Sequence, residues 1–211
     1  TNLAPIEKEF TKYARWERWF HPIRFLCLLP LSHVFGQLMG IFVPQILGAE
    51  VYFRESYKPS QIISEIKKQK INVVITVPRV LETLREKVAA GVTDVELAAA
   101  EDRHFIRNWW HFRTIRRLFG WRFWAFVTGG ATLEADTESF WRRLGYAVIQ
   151  GYGMTETASL ASLSHPFRTK HGSIGKPVAG QELKLGENGE ILVRGDNVSP
   201  GYWNHGLQPI A

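Results

Sequence analysis

Between residues 150 and 157 the chain reads Gln150-Gly151-Tyr152-Gly153-Met154-Thr155-Glu156-Thr157, an aromatic ring, a hydroxyl and a carboxylate set between and after glycines. Such a set suits a nucleotide bound with a divalent cation. Tyr152 can stack on a purine, the Thr155 hydroxyl and nearby N–H groups can donate to a phosphate, and Glu156 offers a hard oxygen ligand to Mg²⁺. The ordinary structural reading is a turn in which Thr155 caps a following helix and Glu156 favours its first turn.

A second turn, Thr128-Gly129-Gly130-Ala131-Thr132, lets a ligand approach the backbone closely. Alone, it reads equally as a plain turn with Thr132 capping a helix that carries Glu134 and Asp136 in its first turn. The third element, Leu29-Pro30-Leu31-Ser32-His33-Val34-Phe35-Gly36, sets one histidine among apolar residues. His33 can line a pocket or be a hydrogen-bonded core histidine. Cys27, the sole cysteine, lies inside an apolar run with no base partner and is a poor nucleophile.

These turns need a scaffold that brings them to one edge. From 25 to 151 short apolar runs alternate with helical patterns, as in βα units that form a parallel sheet. The expected strands are 24–29, 49–53, 71–77, 123–128 and 146–151, and the expected helices 35–47, 59–69, 79–87 and 134–144. The run 71–77 is apolar and β-branched throughout, as a strand covered on both faces must be. In open α/β sheets ligands bind beyond the carboxyl ends of the strands, where all three turns fall.

After about residue 159 the pattern changes to short strands punctuated by Gly and Pro, with Asn188-Gly189 as a hairpin turn between 182–185 and 190–194. The fold class expected is α/β, a largely parallel sheet flanked by helices, followed by the start of a small β subdomain. The division is 1–160, containing a basic-aromatic segment at 89–122, and a truncated 161–211.

The segment 89–120 reads as one long helix, with Phe105, Trp109 and Phe112 on one stripe and Arg103, Arg107 and His111 on another. From Glu101 to Trp124 there are six arginines and eight aromatic residues, a composition suited to the head-group region of a membrane. The alternative is a peripheral helix whose arginines are merely solvated.

Composition sets broad bounds. A chain of 211 residues, 45% apolar, is long enough for a real core. One cysteine excludes an internal disulfide framework and favours a cytoplasmic setting. The apolar stretches are too interrupted to span a bilayer, and the first residues do not read as a secretion signal. A net charge of +6 favours anionic partners without choosing among them.

Together the three turns, with Gly172-Ser173-Ile174-Gly175-Lys176-Pro177 and Gly201-Tyr202-Trp203, resemble the adenylate-forming superfamily of acyl-CoA synthetases, adenylation domains and luciferases. The matches are in order and cover nearly the whole chain. The resemblance implies that Gly129, Gly130 and Ala131 line the nucleotide and acyl site. By the same likeness Gln150, Gly151 and Tyr152 flank adenine, with Gly153 and Met154 in the same nucleotide-binding run. Thr155 then meets phosphate, Glu156 binds Mg²⁺, and His33 is the active-site histidine. The implied chemistry is attack of a carboxylate on the α-phosphate of ATP, then capture of the acyl group by coenzyme A. The extended helical region tilts the likeness toward long-chain fatty acid–CoA ligases. A fatty acid is then the substrate, with membrane contact through 101–124 at the inner face of the membrane.

Acyl-AMP ligases of the same superfamily, and a non-catalytic lipid- or membrane-binding module, are the alternatives. No recognition motif for nucleic acid accompanies the basic segment, and nothing indicates the oligomeric state. The family's Ser/Thr/Gly-rich phosphate loop is absent from residues 1–24. Its ribose-binding Asp follows the Gly-Tyr-Trp element, whereas Gly195-Asp196 precedes it, so Asp196 is expected in a loop. The chain also ends before the family's smaller carboxyl-terminal domain with its adenylation lysine. The expectation is a piece of a longer enzyme, unable to form acyl-adenylate alone.

Overall fold

The structure, a computed structural model, describes residues 22–93, 108, 110–166 and 172–204 and the backbone of 207–209. Seven strands form the main sheet: β1 (Arg24–Cys27), β2 (Glu50–Phe53), β3 (Val73–Thr76), β4 (Ala125–Gly129), β5 (Ala147–Tyr152), β6 (Ser162–Leu163) and β7 (Lys176–Pro177). Their order is β2-β1-β3-β4-β5-β6-β7, the first five parallel and the last two added antiparallel. All four residues of β3 are buried, in keeping with the two-sided apolar run read from the sequence.

Side-chain alternation divides the core into two layers. Leu26, Val74, Phe126 and Val148 face a layer that also buries Ile62, Ile66, Leu81, Leu84 and Trp141. These come from α3 (Pro59–Lys68), α4 (Pro78–Ala89) and α6 (Ala135–Arg143). Phe25, Cys27, Ile75, Val127 and Ala147 face the other layer, with Leu38, Met39, Val43 and Leu47. Pro59 and Pro78 stand in the first turns of their helices, where a missing N–H costs no hydrogen bond.

The helix expected over 35–47 is three pieces. α1 (Val34–Gln37) leads through a π-helical turn (Leu38–Phe42) into α2 (Val43–Leu47). Close packing goes with this break: a Cβ on Gly36 would collide with the Pro30 carbonyl, and one on Gly40 would stand 3.0 Å from the Phe53 ring and 3.3 Å from Cys27 Sγ. The wider turn keeps both glycines against the sheet.

The single long helix expected over 89–120 does not form among the described residues. α4 ends at Ala89, and Phe112 departs from helical geometry (φ −87°, ψ 30°) before α5 (Arg113–Phe119) begins. Phe112, Ile115, Arg116 and Phe119 are buried. The Arg116 guanidinium donates to the carbonyls of Gly145 (3.4 Å) and Phe123 (3.1 Å), so α5 is tied to the amino ends of β4 and β5. Phe105, Trp109, Arg103 and Arg107 lie outside the described residues, and His111 is exposed.

Beyond the main sheet, β8 (Gln181–Leu185) and β9 (Ile191–Gly195) form a hairpin across the Asn188-Gly189 turn, and β10 (Gly201–Trp203) pairs with β11 (Leu207–Pro209). The short β6 and β7, which carry the main sheet past residue 160, have no period long enough to read from sequence. Among the described residues no helix is long and apolar enough to cross a membrane.

Candidate functional site

The carboxyl ends of β1, β4 and β5 lie along one edge of the parallel sheet, so the three turns that follow them are brought together there. Gly129 and Gly151 are in register on adjacent strands. The ring of Phe35, at the start of α1, lies over them: a Cβ on Gly129 would stand 3.1 Å from it and 2.9 Å from the Gly151 carbonyl oxygen. Part of the need for glycine here is therefore helix packing. Gly130 is different, with φ +81° and open space around it, so its demand is conformational. Gly130 and Ala131 are exposed at the mouth.

After β5 the chain makes a tight loop. Thr157 N–H donates to the Met154 carbonyl (3.1 Å), as does Ser159 N–H (3.0 Å), and Ala158 N–H donates to Thr155 (3.1 Å). A Cβ on Gly153 would collide with the Ser159 carbonyl, so only glycine closes the loop. Ala158 and Ser159 hold positive φ angles of 51° and 81°. Non-glycine residues cost about 1–3 kcal/mol each in such conformations, which persist where surrounding contacts impose them.

The cap in this loop is Thr157. Its hydroxyl accepts from Met154 N–H (3.0 Å) and donates to the Met154 carbonyl (3.1 Å). That corrects the ordinary reading, which gave Thr155 the capping role. The Thr155 side chain is exposed and makes no hydrogen bond to a described residue, so its hydroxyl is available to a ligand. Thr132 does not cap α6 either, because the cap position is Glu134 and it carries no side-chain bond.

Glu156 is gripped by the Gly-Tyr-Trp element. Its carboxylate accepts from the Tyr202 hydroxyl and its carbonyl accepts from Ser199 N–H (2.7 Å). Asn197 Nδ2 donates to the carbonyls of Thr157 (2.9 Å) and Leu160 (3.4 Å), anchoring the same loop. The Tyr202 hydrogen bond, helped by backbone hydrogen bonding, holds the Glu156 carboxyl below its ordinary range, and Glu156 pushes Tyr202 up. Glu156 thus presents an ionised, oriented carboxylate at the sheet edge.

Gln150 and Tyr152 are half-buried and Met154 is 41% exposed. Gln150 N–H donates to Ser164 Oγ (2.6 Å), and Tyr152 carbonyl accepts from Ala161 N–H (2.8 Å), which fixes the backbone at the end of β5. His33 is exposed at the amino end of α1, at the same sheet edge, and is no core histidine. Cys27 is buried and its thiol is pushed up by burial, as expected for an inert position. Asp196 stands exposed in the turn after β9.

Sequence reading gave no role to Phe35, Thr157, Asn197 or Tyr202. Tyr202 lay within a noted motif, but its partner is 46 residues away and no spacing could reveal the pairing. The Gly175 motif serves the scaffold: a Cβ there would collide with the Leu163 carbonyl, so glycine lets β7 lie against β6.

The model of the family described as "AMP-binding enzyme" matches residues 8–203. The long-chain-fatty-acid–CoA ligase FadD15 of Mycobacterium bovis is 31% identical over 220 residues, covering 89% of this chain and 36% of the ligase. A 2-succinylbenzoate–CoA ligase of Bacillus pumilus is 30% identical over 190 residues, covering 85% of the chain and 33% of that protein. The chain thus spans about a third of the length of these curated relatives. Among solved structures, the N-terminal domain of FACL13 from Mycobacterium tuberculosis superposes with a TM-score of 0.62 at 22% identity, covering 86% of this chain and 43% of that one. O-succinylbenzoate coenzyme A synthetase from Bacillus subtilis, in complex with ATP and magnesium ion, superposes with a TM-score of 0.63 at 24% identity, covering 94% and 38%. These likenesses show the same fold.

Proposed function

Because the chain belongs to the AMP-binding enzyme family, we propose that it carries the adenine- and phosphate-facing wall of an ATP-dependent acid–thiol ligase. The observation that carries this reading is the loop from Gly153 to Ser159, where a free Thr155 hydroxyl and an oriented Glu156 carboxylate stand beside a glycine pair at the sheet edge. The substrate class is a long-chain fatty acid. Support comes from the relative FadD15, matched over 89% of the chain, and from the basic-aromatic segment at 101–124. The setting is cytoplasmic, with contact at the inner face of the membrane.

In the reaction, a carboxylate oxygen bonds to the α-phosphorus of ATP and the bond to pyrophosphate breaks. The thiol of coenzyme A then attacks the acyl carbonyl, its proton passes to solvent and AMP leaves. Gln150, Gly151 and Tyr152 flank the adenine, Gly129 to Ala131 lie against the acyl-phosphate junction, Gly153 and Met154 shape the approach, and Thr155 donates to phosphate. His33 lines the acyl end.

The donor set fits Mg²⁺. Among the described residues no group of three or more His, Cys, Asp or Glu could hold a metal ion, so Glu156 would be a single protein ligand, with phosphate oxygens and water completing the shell. Bound there, the cation would neutralise phosphate charge. Catalysis of this kind is mostly positioning, so loss of one ligand is costly.

In the intact enzyme containing this chain, Glu156→Gln is expected to lower pyrophosphate exchange with a fatty acid by roughly 10²-fold or more, as losing one transition-state stabilising group does. Undiminished exchange would overturn the role of Glu156. Exchange with 2-succinylbenzoate and none with a fatty acid would overturn the substrate class alone.

A further inference from the structure

Residues 197–202, which run from the end of β9 into β10, reach back across the sequence and hold the loop after β5. Ser199 N–H donates to the Glu156 carbonyl (2.7 Å), and Asn197 Nδ2 donates to the carbonyls of Thr157 (2.9 Å) and Leu160 (3.4 Å). The Tyr202 hydroxyl donates to Oε1 of Glu156. From β8, Gln181 Nε2 adds a bond to the Leu160 carbonyl (2.8 Å). The span is also braced on itself: Val198 N–H donates to the Gly195 carbonyl (3.1 Å) and Ser199 Oγ to the Gly201 carbonyl (3.0 Å).

Glu156 is therefore held at two places by one short strap, its main chain by Ser199 and its carboxylate by Tyr202. Holding the main chain alone would leave the long side chain free to sample rotamers. Fixing the carboxylate in advance removes an ordering cost that a ligand would otherwise meet on binding. A carboxylate has lone pairs on both oxygens, so accepting one phenol proton leaves it able to bind a cation.

We propose that Tyr202 is a positioning residue for the divalent cation, its hydroxyl holding the Glu156 carboxylate in the direction that receives Mg²⁺ bound to the phosphates of ATP. This rests on the reading of Glu156 as the cation's protein ligand and adds the residue that aims it. Carboxylates that ligate metals are commonly hydrogen-bonded in turn, and losing such a partner costs about 10- to 100-fold in metal affinity. Tyr202 is 57% exposed, which puts the loss here at the low end of that range. Ser199 and Asn197 secure the backbone of the loop without the phenol. Removing the phenol oxygen should therefore change the affinity for the cation and leave the binding of the nucleotide itself in place.

The test is calorimetric titration of the intact enzyme containing this chain with ATP, once with Mn²⁺ standing in for Mg²⁺ and once with a chelator, bound Mn²⁺ being counted by electron paramagnetic resonance. Tyr202→Phe is expected to weaken Mn²⁺–ATP binding roughly tenfold, with metal-free ATP binding and the thermal midpoint unchanged. Glu156→Gln should weaken it at least as much, and the double variant should lose nothing further, because Tyr202 acts only through Glu156. Equal losses with and without the cation would make Tyr202 a prop for the loop, and tighter Mn²⁺–ATP binding would make it a competitor of the cation. Either result, or a further loss in the double variant, overturns the proposal. No change in Tyr202→Phe beside a loss in Glu156→Gln overturns it while leaving the role of Glu156 standing. No change in either variant overturns both.

Discussion

At the scale of single residues, the informative pair is Glu156 and Tyr202. Each perturbs the other through one hydrogen bond, lowering the carboxyl and raising the phenol. Both are solvent-accessible, so the effect on global stability is small and the consequence is local. The carboxylate form is favoured at and above the ordinary carboxyl value of 4.5, and the bond is lost as pH falls through the lowered value. Tyr202→Phe removes the donor and keeps the ring. Its Glu156 carboxyl should titrate closer to the ordinary value, followed by carbon-detected magnetic resonance of the side chain, with the unfolding midpoint essentially unchanged. An unmoved Glu156 titration would mean that the backbone, not Tyr202, holds the carboxylate.

At the scale of elements, legibility followed how local the determining physics was. The five parallel strands were readable because β-branched apolar runs such as Val73–Thr76 need no distant partner to be recognised. The loop from Gly153 to Ser159 was readable as a tight turn after β5, but not which hydroxyl caps it, because Thr155 and Thr157 are equivalent until the turn is built. The segment before β4 was misread because its break at Phe112 comes from tertiary burial, which outweighs helical periodicity. Arg116 shows the cost of that arrangement. It is 5% exposed, its guanidinium lies 5.0 Å from the Tyr146 ring centre, and it serves two strand-end carbonyls. Arg116→Met keeps the packing volume but leaves the Gly145 and Phe123 carbonyls without that donor. A loss of about 2–4 kcal/mol is expected in urea unfolding, with faster amide exchange in α5 than in β3. A loss under about 0.5 kcal/mol would show that α5 is held by apolar burial alone.

At the scale of the whole molecule, the buried groups with shifted titration make alkali the more damaging direction. Burial pushes Cys27 and Tyr146 up, Arg116 pulling Tyr146 only partly back. Unfolded, the two ionise near their ordinary values of 9.0 and 10.0, whereas the folded chain keeps both protons. Their contribution is complete below those values, and stability falls as pH rises beyond them, by up to about 1.4 kcal/mol per pH unit for each group. Glu156 acts the other way, and its exposure keeps its contribution in acid small. The Tyr146 hydroxyl is buried with no hydrogen-bond partner inside a cluster with Phe119, Phe123, Phe126 and Trp141. Tyr146→Phe therefore removes an unsatisfied polar atom and a titrating proton while leaving ring contacts and the Arg116 stacking in place. At neutral pH the variant should match or exceed the parent by up to about 1 kcal/mol. Above pH about 10 its lead should widen, because the most deeply buried of the groups that lose stability in alkali has been removed. Guanidinium unfolding of both chains at neutral and alkaline pH decides this. Parallel decline of the two curves would show that Tyr146 does not set the alkaline limit.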